Sequence, residues 1–232
     1  MNDFALIGTL LTSPSAAFAE LRERPRFWLP LIALTLASAT LVVWYYGAVD
    51  VAWLSDRLLN TTPQLAKLPP ETRARMAAAM SRNGMLISGT VGAFVAVPAV
   101  YALQAVYYLL ASKVVGVSLS FKHWFTMNCW CALPSLLGVA AGAAVLLTES
   151  RPLQIDPTGL QVLSVNELFF HLPMTAKGAS LLSSLSLISP LSWALTIVCV
   201  HTWTKRSWQF SATFALLPSV VWYGGWAVIA FR

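Results

Sequence analysis

The amino-acid sequence predicts an all-α, polytopic membrane protein: five transmembrane helices preceded by an amphipathic helix at the membrane interface. Three observations carry this. Of 232 residues, 57% are hydrophobic and only 10% charged, against about 25% charged in ordinary soluble domains. Mean hydropathy is +0.67. The 24 charges are excluded from five runs, 27–49, 83–112, 123–148, 178–204 and 207–231. Each run exceeds the roughly 20 apolar residues needed to cross about 30 Å of hydrocarbon. A soluble chain of this length could not cover its surface with so few charges. A soluble enzyme, a disordered tail and a nucleic-acid-binding module are therefore excluded.

Two parts are expected, an interfacial segment at 1–27 and a five-helix membrane domain at 28–232. Within the first, Phe4, Ile7 and Leu11 recur at helical spacing, and Ser13-Pro14 is an N-cap followed by proline at the first helical position. Phe18 and Leu21 share a face of the next helix, with Glu20, Arg22, Glu23 and Arg24 turned away, a pattern that suits the headgroup layer. Phe4–Leu11 and Ala17-Phe18-Ala19 imitate a signal peptide. Asp3 without a preceding Lys or Arg speaks against one, so the segment is expected to stay. Phe18, Leu21, Arg24, Arg26 and Trp28 are the expected interfacial anchors.

The spans are expected at about 28–47, 85–112, 123–147, 180–203 and 210–231, with outer loops at 48–84 and 148–179. The first ends on an aromatic belt, Trp44-Tyr45-Tyr46. The 48–84 loop reads as two short helices, over Asp50–Leu59 and from Pro70 to a stop at Asn83-Gly84. Pro98 predicts a kink in the second span. Ser164-Val-Asn-Glu167 is a capping box ahead of Leu168–Leu172, a short interfacial helix. Arg22, Arg24, Arg26, Lys113, Lys122, Lys205 and Arg206 fall on one side of the membrane, concentrated in fewer residues and offset by fewer acids than on the other, which predicts a cytoplasmic amino terminus and an external carboxyl terminus.

No Asp, Glu, Lys or Arg occupies the middle of a span, which argues against proton-coupled transport and aspartyl proteolysis. His123 and His201, with Cys199 nearby, lack ligand spacing and read as polar anchors, so no metal or other cofactor is expected. Cys129 and Cys131 stand about 200° apart around a helix and cannot bridge one another; all three cysteines read as apolar fillers. Ser183, Ser186, Ser189 and Ser192 recur every third residue. With no mid-membrane base they are a packing ridge rather than a nucleophile. Gly138 and Gly142 form a GxxxG, and Ser88 and Gly92 a small-xxx-small pair; self-association and internal packing explain these equally well. Gln104 and Asn128 are the amides nearest mid-span, expected to bridge helices, with lining of a polar groove the alternative.

Three stretches resemble the Yip1 family of five-span membrane proteins, in particular its bacterial branch. They are Leu11-Thr-Ser-Pro14 through Phe18 and Leu21 to Pro25; Lys113-Val-Val-Gly116 through Phe121 to Ala132-Leu-Pro134; and Thr204–Gln209 with the following Ala215-Leu-Leu-Pro218. Val117 departs from the pattern, which often has a second glycine there, and puts the conformation of that turn in question. The resemblance implies five spans, a cytoplasmic amino terminus and no known catalytic residues. Eukaryotic relatives act in vesicle traffic, and some bacterial relatives accompany ABC exporters.

Function is expected to be non-enzymatic: an accessory or assembly partner of another complex in a bacterial inner membrane, possible partners being an ABC exporter or a second copy of the chain. Lipid or small-molecule transport along an inter-helix groove is the alternative, favoured by Pro98, Pro134, Pro190 and Pro218, which loosen helix packing.

Overall fold

The computed structural model describes residues 2–61, 65, 67–149, 153–173 and 175–231. Its helices are α1 (Asp3–Thr12), α2 (Pro14–Glu23), α3 (Trp28–Ala48), α4 (Val51–Thr61), α5 (Pro70–Ala79), α6 (Arg82–Val114), α7 (Phe121–Cys131), α8 (Leu136–Thr148), α9 (Ala179–Ser184), α10 (Ser189–Thr204) and α11 (Trp208–Ala230). Among the described residues no strand forms, only two isolated bridges. Four helical stretches are long and apolar enough to span a membrane, namely α3, α6, Phe121–Thr148 and α11. The chain is an all-α membrane protein. It divides into two compact units, one of Met1–Thr35, Ala96–Ser135 and Ile188–Gly225, the other of Leu36–Val95, Leu136–Leu187 and Trp226–Arg232.

The expected fourth span is not one helix. The chain leaves α9 after Ser184, turns extended at Leu185 (ψ 119°), and resumes as α10 at Ser189. Pro190 has no N–H to bond back along a continuous helix, and sits instead in the first turn of α10, where that N–H is not needed. The backbone freed at the break pairs sideways: Val165 N donates to Leu185 O (2.7 Å) and Leu187 N to Leu163 O (2.9 Å). At 16 residues, α10 is about 24 Å long, short of a full crossing. The serine ridge is broken with it. Ser183 belongs to α9, Ser186 to the bridge with Ser164, and Ser189 and Ser192 to α10.

The first unit is built on aromatic rings. From Trp124 to Cys131 every residue of α7 is buried. Trp124 packs on Tyr108 of α6 (5.7 Å between centroids), Trp203 of α10 (5.8 Å) and Phe214 of α11 (5.7 Å). The Tyr108 hydroxyl donates to Ala215 O (2.8 Å), and Asn128 Nδ2 to Tyr101 O (3.0 Å). Asn128 therefore bridges α7 to α6, whereas Gln104 is exposed on the surface of α6. Gly116, at φ 72°, turns the chain after α6, with Val117 N donating to Ser112 O (2.8 Å). Val117 itself has no positive φ, so a second glycine is not required.

In the second unit the two outer loops fold against the end of α3. Val49 pairs with Leu153 in a parallel bridge, and the Tyr45 hydroxyl donates to Ile155 O (2.8 Å). Arg57 bonds Asp156 (3.2 Å). Arg82 caps the carboxyl end of α3. One guanidinium nitrogen donates to Tyr46 O (2.8 Å) and Gly47 O (2.7 Å), the other to Val49 O (3.0 Å). These carbonyls are helix-end orphans, and a cation at that end also meets the negative pole of the helix dipole. Asn83-Gly84, expected to stop the preceding helix, lies inside the first turn of α6. Ser81 Oγ accepts from Gly84 N (3.1 Å) and starts that helix early.

Asp50 caps α4, its Oδ1 accepting from Ala52 N (3.0 Å) and Trp53 N (3.1 Å). The Trp53 bond and the Gln154 amide hold its carboxyl below the ordinary value of 3.8. Half of the Ser164 box forms, Glu167 N donating to Ser164 Oγ (3.2 Å) while Ser164 N donates to Gln161 O (2.8 Å). The helix it starts is a single π-type turn over Asn166–Phe170, stopped by His171 at φ 52°.

The capping groups set two expected outcomes. Replacing Arg82 by Met leaves three carbonyls without their charged donor, an expected loss of about 1.5–3 kcal/mol, read as a lowered thermal midpoint in detergent. Asp50→Asn keeps an acceptor but cannot ionise. The carboxylate's stabilisation is fully present above its ordinary pKa and is lost as pH falls through its lowered native one. The difference in midpoint between the two proteins should therefore be constant above about pH 5 and change only as the carboxylate protonates below pH 4.

Candidate functional site

The amino-terminal helix pair is packed into the core of the first unit. Leu6, Ala17, Phe18 and Leu21 are fully buried, and Leu10 nearly so. Phe18 and Leu21, expected as anchors among lipid headgroups, instead fill the protein core beside Trp124, Trp130 and Trp203. The partner of this apolar stripe is protein. The reason lies in what α7 and α10 present. Trp203 Nε1 donates to Phe18 O (2.7 Å), and Trp130 Nε1 to Arg26 O (2.6 Å). His123 uses both ring nitrogens. Nε2 donates to Arg22 O (3.1 Å), an orphan carbonyl at the end of α2, and Nδ1 accepts from Ser120 Oγ (2.7 Å). A buried indole N–H usually finds a partner, and α2 with its exit segment supplies carbonyls for those of Trp203 and Trp130.

The other anchors divide. Arg24 and Trp28 are exposed, Trp28 at 64%. Arg26 forms ion pairs with Asp3 (3.0 Å) and Glu20 (3.1 Å), tying both helices to the segment that enters α3. On α1 the two apolar faces have separate uses. Leu6 and Leu10 face the core, while Phe4 (74%) and Leu11 (79%) are exposed.

The small-residue pairs separate in the same way. A side chain on Gly142 would meet Leu160 O at 2.9 Å and Leu41 Cδ2 at 3.3 Å, so this glycine lets α8 approach the 157–160 turn. Gly138 lies one turn earlier on α8 and is half-buried. Ser88 and Gly92 are exposed, and a Cβ built on Gly92 meets nothing within 4 Å. The glycine of α6 that abuts α3 is Gly89, whose Cβ would lie 2.8 Å from Tyr46 Cε2. Its neighbour Gly92 obscured it, since Ser88-x-x-x-Gly92 matches a motif and Gly89 alone does not. Ile87 (66%), Val91 (56%) and Val95 (62%) surround the open face.

Among the described residues no group of three His, Cys, Asp or Glu side chains stands close enough to hold a metal. His201 Nδ1 donates to Arg206 O (2.7 Å), with its ring stacked on Trp208 at 3.9 Å. His123 serves α2, and Cys129, Cys131 and Cys199 are buried free thiols. Ser183 is buried, and its hydroxyl makes no hydrogen bond among the described residues. Ser189 begins α10 and is half-buried.

Trp203→Phe removes the bond to Phe18 while keeping the ring packing. A loss of about 1 kcal/mol raises the undocked fraction of the helix pair about fivefold. Limited trypsin digestion at Arg22 should accelerate by that factor, and further when Trp130→Phe is added.

The Yip1 domain family model matches residues 7–229. The chain is 27% identical over 197 residues to the membrane protein YknW of Bacillus subtilis (strain 168), covering 83% of this chain and 75% of that protein. No solved structure matches. A match that runs from within α1 to the end of α11 takes in nearly the whole chain, and the chain belongs to the Yip1 domain family.

Proposed function

We propose that this protein is a non-catalytic membrane subunit that binds another integral membrane protein of the bacterial cytoplasmic membrane, its amino terminus on the cytoplasmic side. An ABC exporter is the partner class that the family resemblance favours. The reading rests on one observation above the rest, the open small-residue face of α6 at Ser88 and Gly92. Gly89 already provides the close approach to α3, so the neighbouring small face has no internal contact to explain it. Small residues let a second transmembrane helix approach closely enough for van der Waals contact to drive association. The use of polar side chains agrees: His123, His201, Trp130, Trp203 and Arg82 all serve backbone carbonyls of the chain itself.

Lipid or small-molecule movement along a groove is the second reading, and the apolar groove between α6 and α11 favours it.

Affinity purification in mild detergent tests the first reading. The wild-type protein should retain a membrane protein, or a second copy of itself, in near-stoichiometric amount. Gly92→Leu should reduce that retention at least tenfold while eluting as a folded, monodisperse species. Gly142→Leu should fail earlier, with a lowered thermal midpoint, because its side chain meets backbone at Leu160. Unchanged retention in Gly92→Leu refutes the assignment of this face.

A further inference from the structure

We propose that the first unit carries a site for one anionic glycerophospholipid, an acyl chain lying between α6 and α11 and the headgroup held by Lys113, Lys205 and Arg206. This goes beyond partner binding and rests on different residues.

The groove has a volume of about 360 Å³, at the small end for a ligand pocket. Tyr107, Ala111 and Val114 of α6 form one wall, and Phe210, Thr213 and Leu217 of α11 the other. Two hydroxyls, those of Tyr107 and Thr213, are the polar side-chain groups along walls otherwise of hydrocarbon and rings. A polar solute finds few groups there to orient it, whereas an alkyl chain needs no partner. The groove ends where α6 ends and α11 begins, at Val114, Val115 and Phe210, so its mouth lies at the level of the two adjoining turns.

Those turns are basic and contain no acid. Residues 113–120 carry Lys113, and residues 204–209 carry Lys205 and Arg206. Asp3, Glu20 and Glu23 are the acids of this unit, all on α1 and α2, and the first two are paired with Arg26. Arg206 is fastened at the mouth. Its guanidinium donates to Val115 O and lies 4.6 Å from the ring centroid of Phe210, both residues of the groove wall. Lys205 is held at φ 57°, left-handed backbone that an L-residue other than Gly, Asn or Asp adopts at a cost. The turn is fixed by Lys205 N donating to His201 O (2.9 Å) and by His201 Nδ1 donating to Arg206 O (2.7 Å). Both Lys205 and Lys113 are exposed. An apolar slot opening onto three cations matches a lipid with an acyl tail and a phosphate-bearing, net negative head. A zwitterionic lipid fits the slot equally but satisfies the cations less well.

Native mass spectrometry of the full chain, with dioleoyl phosphatidylglycerol or dioleoyl phosphatidylcholine added to detergent micelles, tests this. One phosphatidylglycerol should be retained per protein, in preference to phosphatidylcholine. Each cation near a phosphate contributes about fivefold, so Lys205→Gly should lower the preference by that factor. This substitution also relieves the left-handed strain, so its thermal midpoint should rise, which a merely destabilised protein would not show. Lys113→Gln should act in the same direction on the preference. Thr213→Trp, at an exposed position of the wall, should fill the slot and abolish retention of either lipid. Equal retention of the two lipids by the wild type, an unaltered preference in Lys205→Gly, or continued one-to-one binding in Thr213→Trp overturns the proposal.

Discussion

A peptide group inside hydrocarbon must find its hydrogen-bond partner within the protein, because there is no water to supply one. Continuous helices satisfy this rule by themselves; their ends and breaks do not, and the side chains of this protein are distributed accordingly. Arg82 meets the last carbonyls of α3, and His123 meets the end of α2. Where α9 and α10 separate, backbone from the 163–165 segment takes over. The same accounting places Tyr108 on Ala215 O and Asn128 on Tyr101 O, joining helices through main-chain acceptors.

This distribution bears directly on function. A catalytic centre needs a base, an acid or a nucleophile left available at a cavity, and here His123, His201, Trp130 and Trp203 of the first unit are engaged with backbone carbonyls. What remains outward is apolar surface, small-residue surface and the basic turns. Those are the surfaces that the proposed binding of protein and of lipid would use.

The amino-terminal helices show how a correct pattern acquires a different partner. An amphipathic stripe of Phe18 and Leu21 with charges opposite fits a membrane surface and a protein surface equally well, since both offer an apolar layer bounded by polar groups. The decision lay with Trp203 and Trp130, distant in sequence, whose indole N–H groups require acceptors at a fixed depth. Docking α2 supplies them and buries the stripe in the same step.

Fold class, hydrophobic segments, their order and the helix-starting residues Ser13-Pro14 and Ser164 were legible because each depends on local composition: a charge-free run of sufficient length has one low-energy environment. So was Asn128, as a mid-span amide whose partner had to be protein. The break at Leu185–Ile188 was not, although Pro190 marked it, because a membrane helix tolerates proline whenever neighbours satisfy the freed backbone, and here the neighbour comes from some twenty residues earlier. Nor could spacing tell Gly89 and Gly142, which admit Tyr46 and Leu160, from Gly92, which admits nothing. A glycine carries no side chain to reveal its environment; only the position of the opposing helix or turn gives it a role, and that position is a property of the assembled fold.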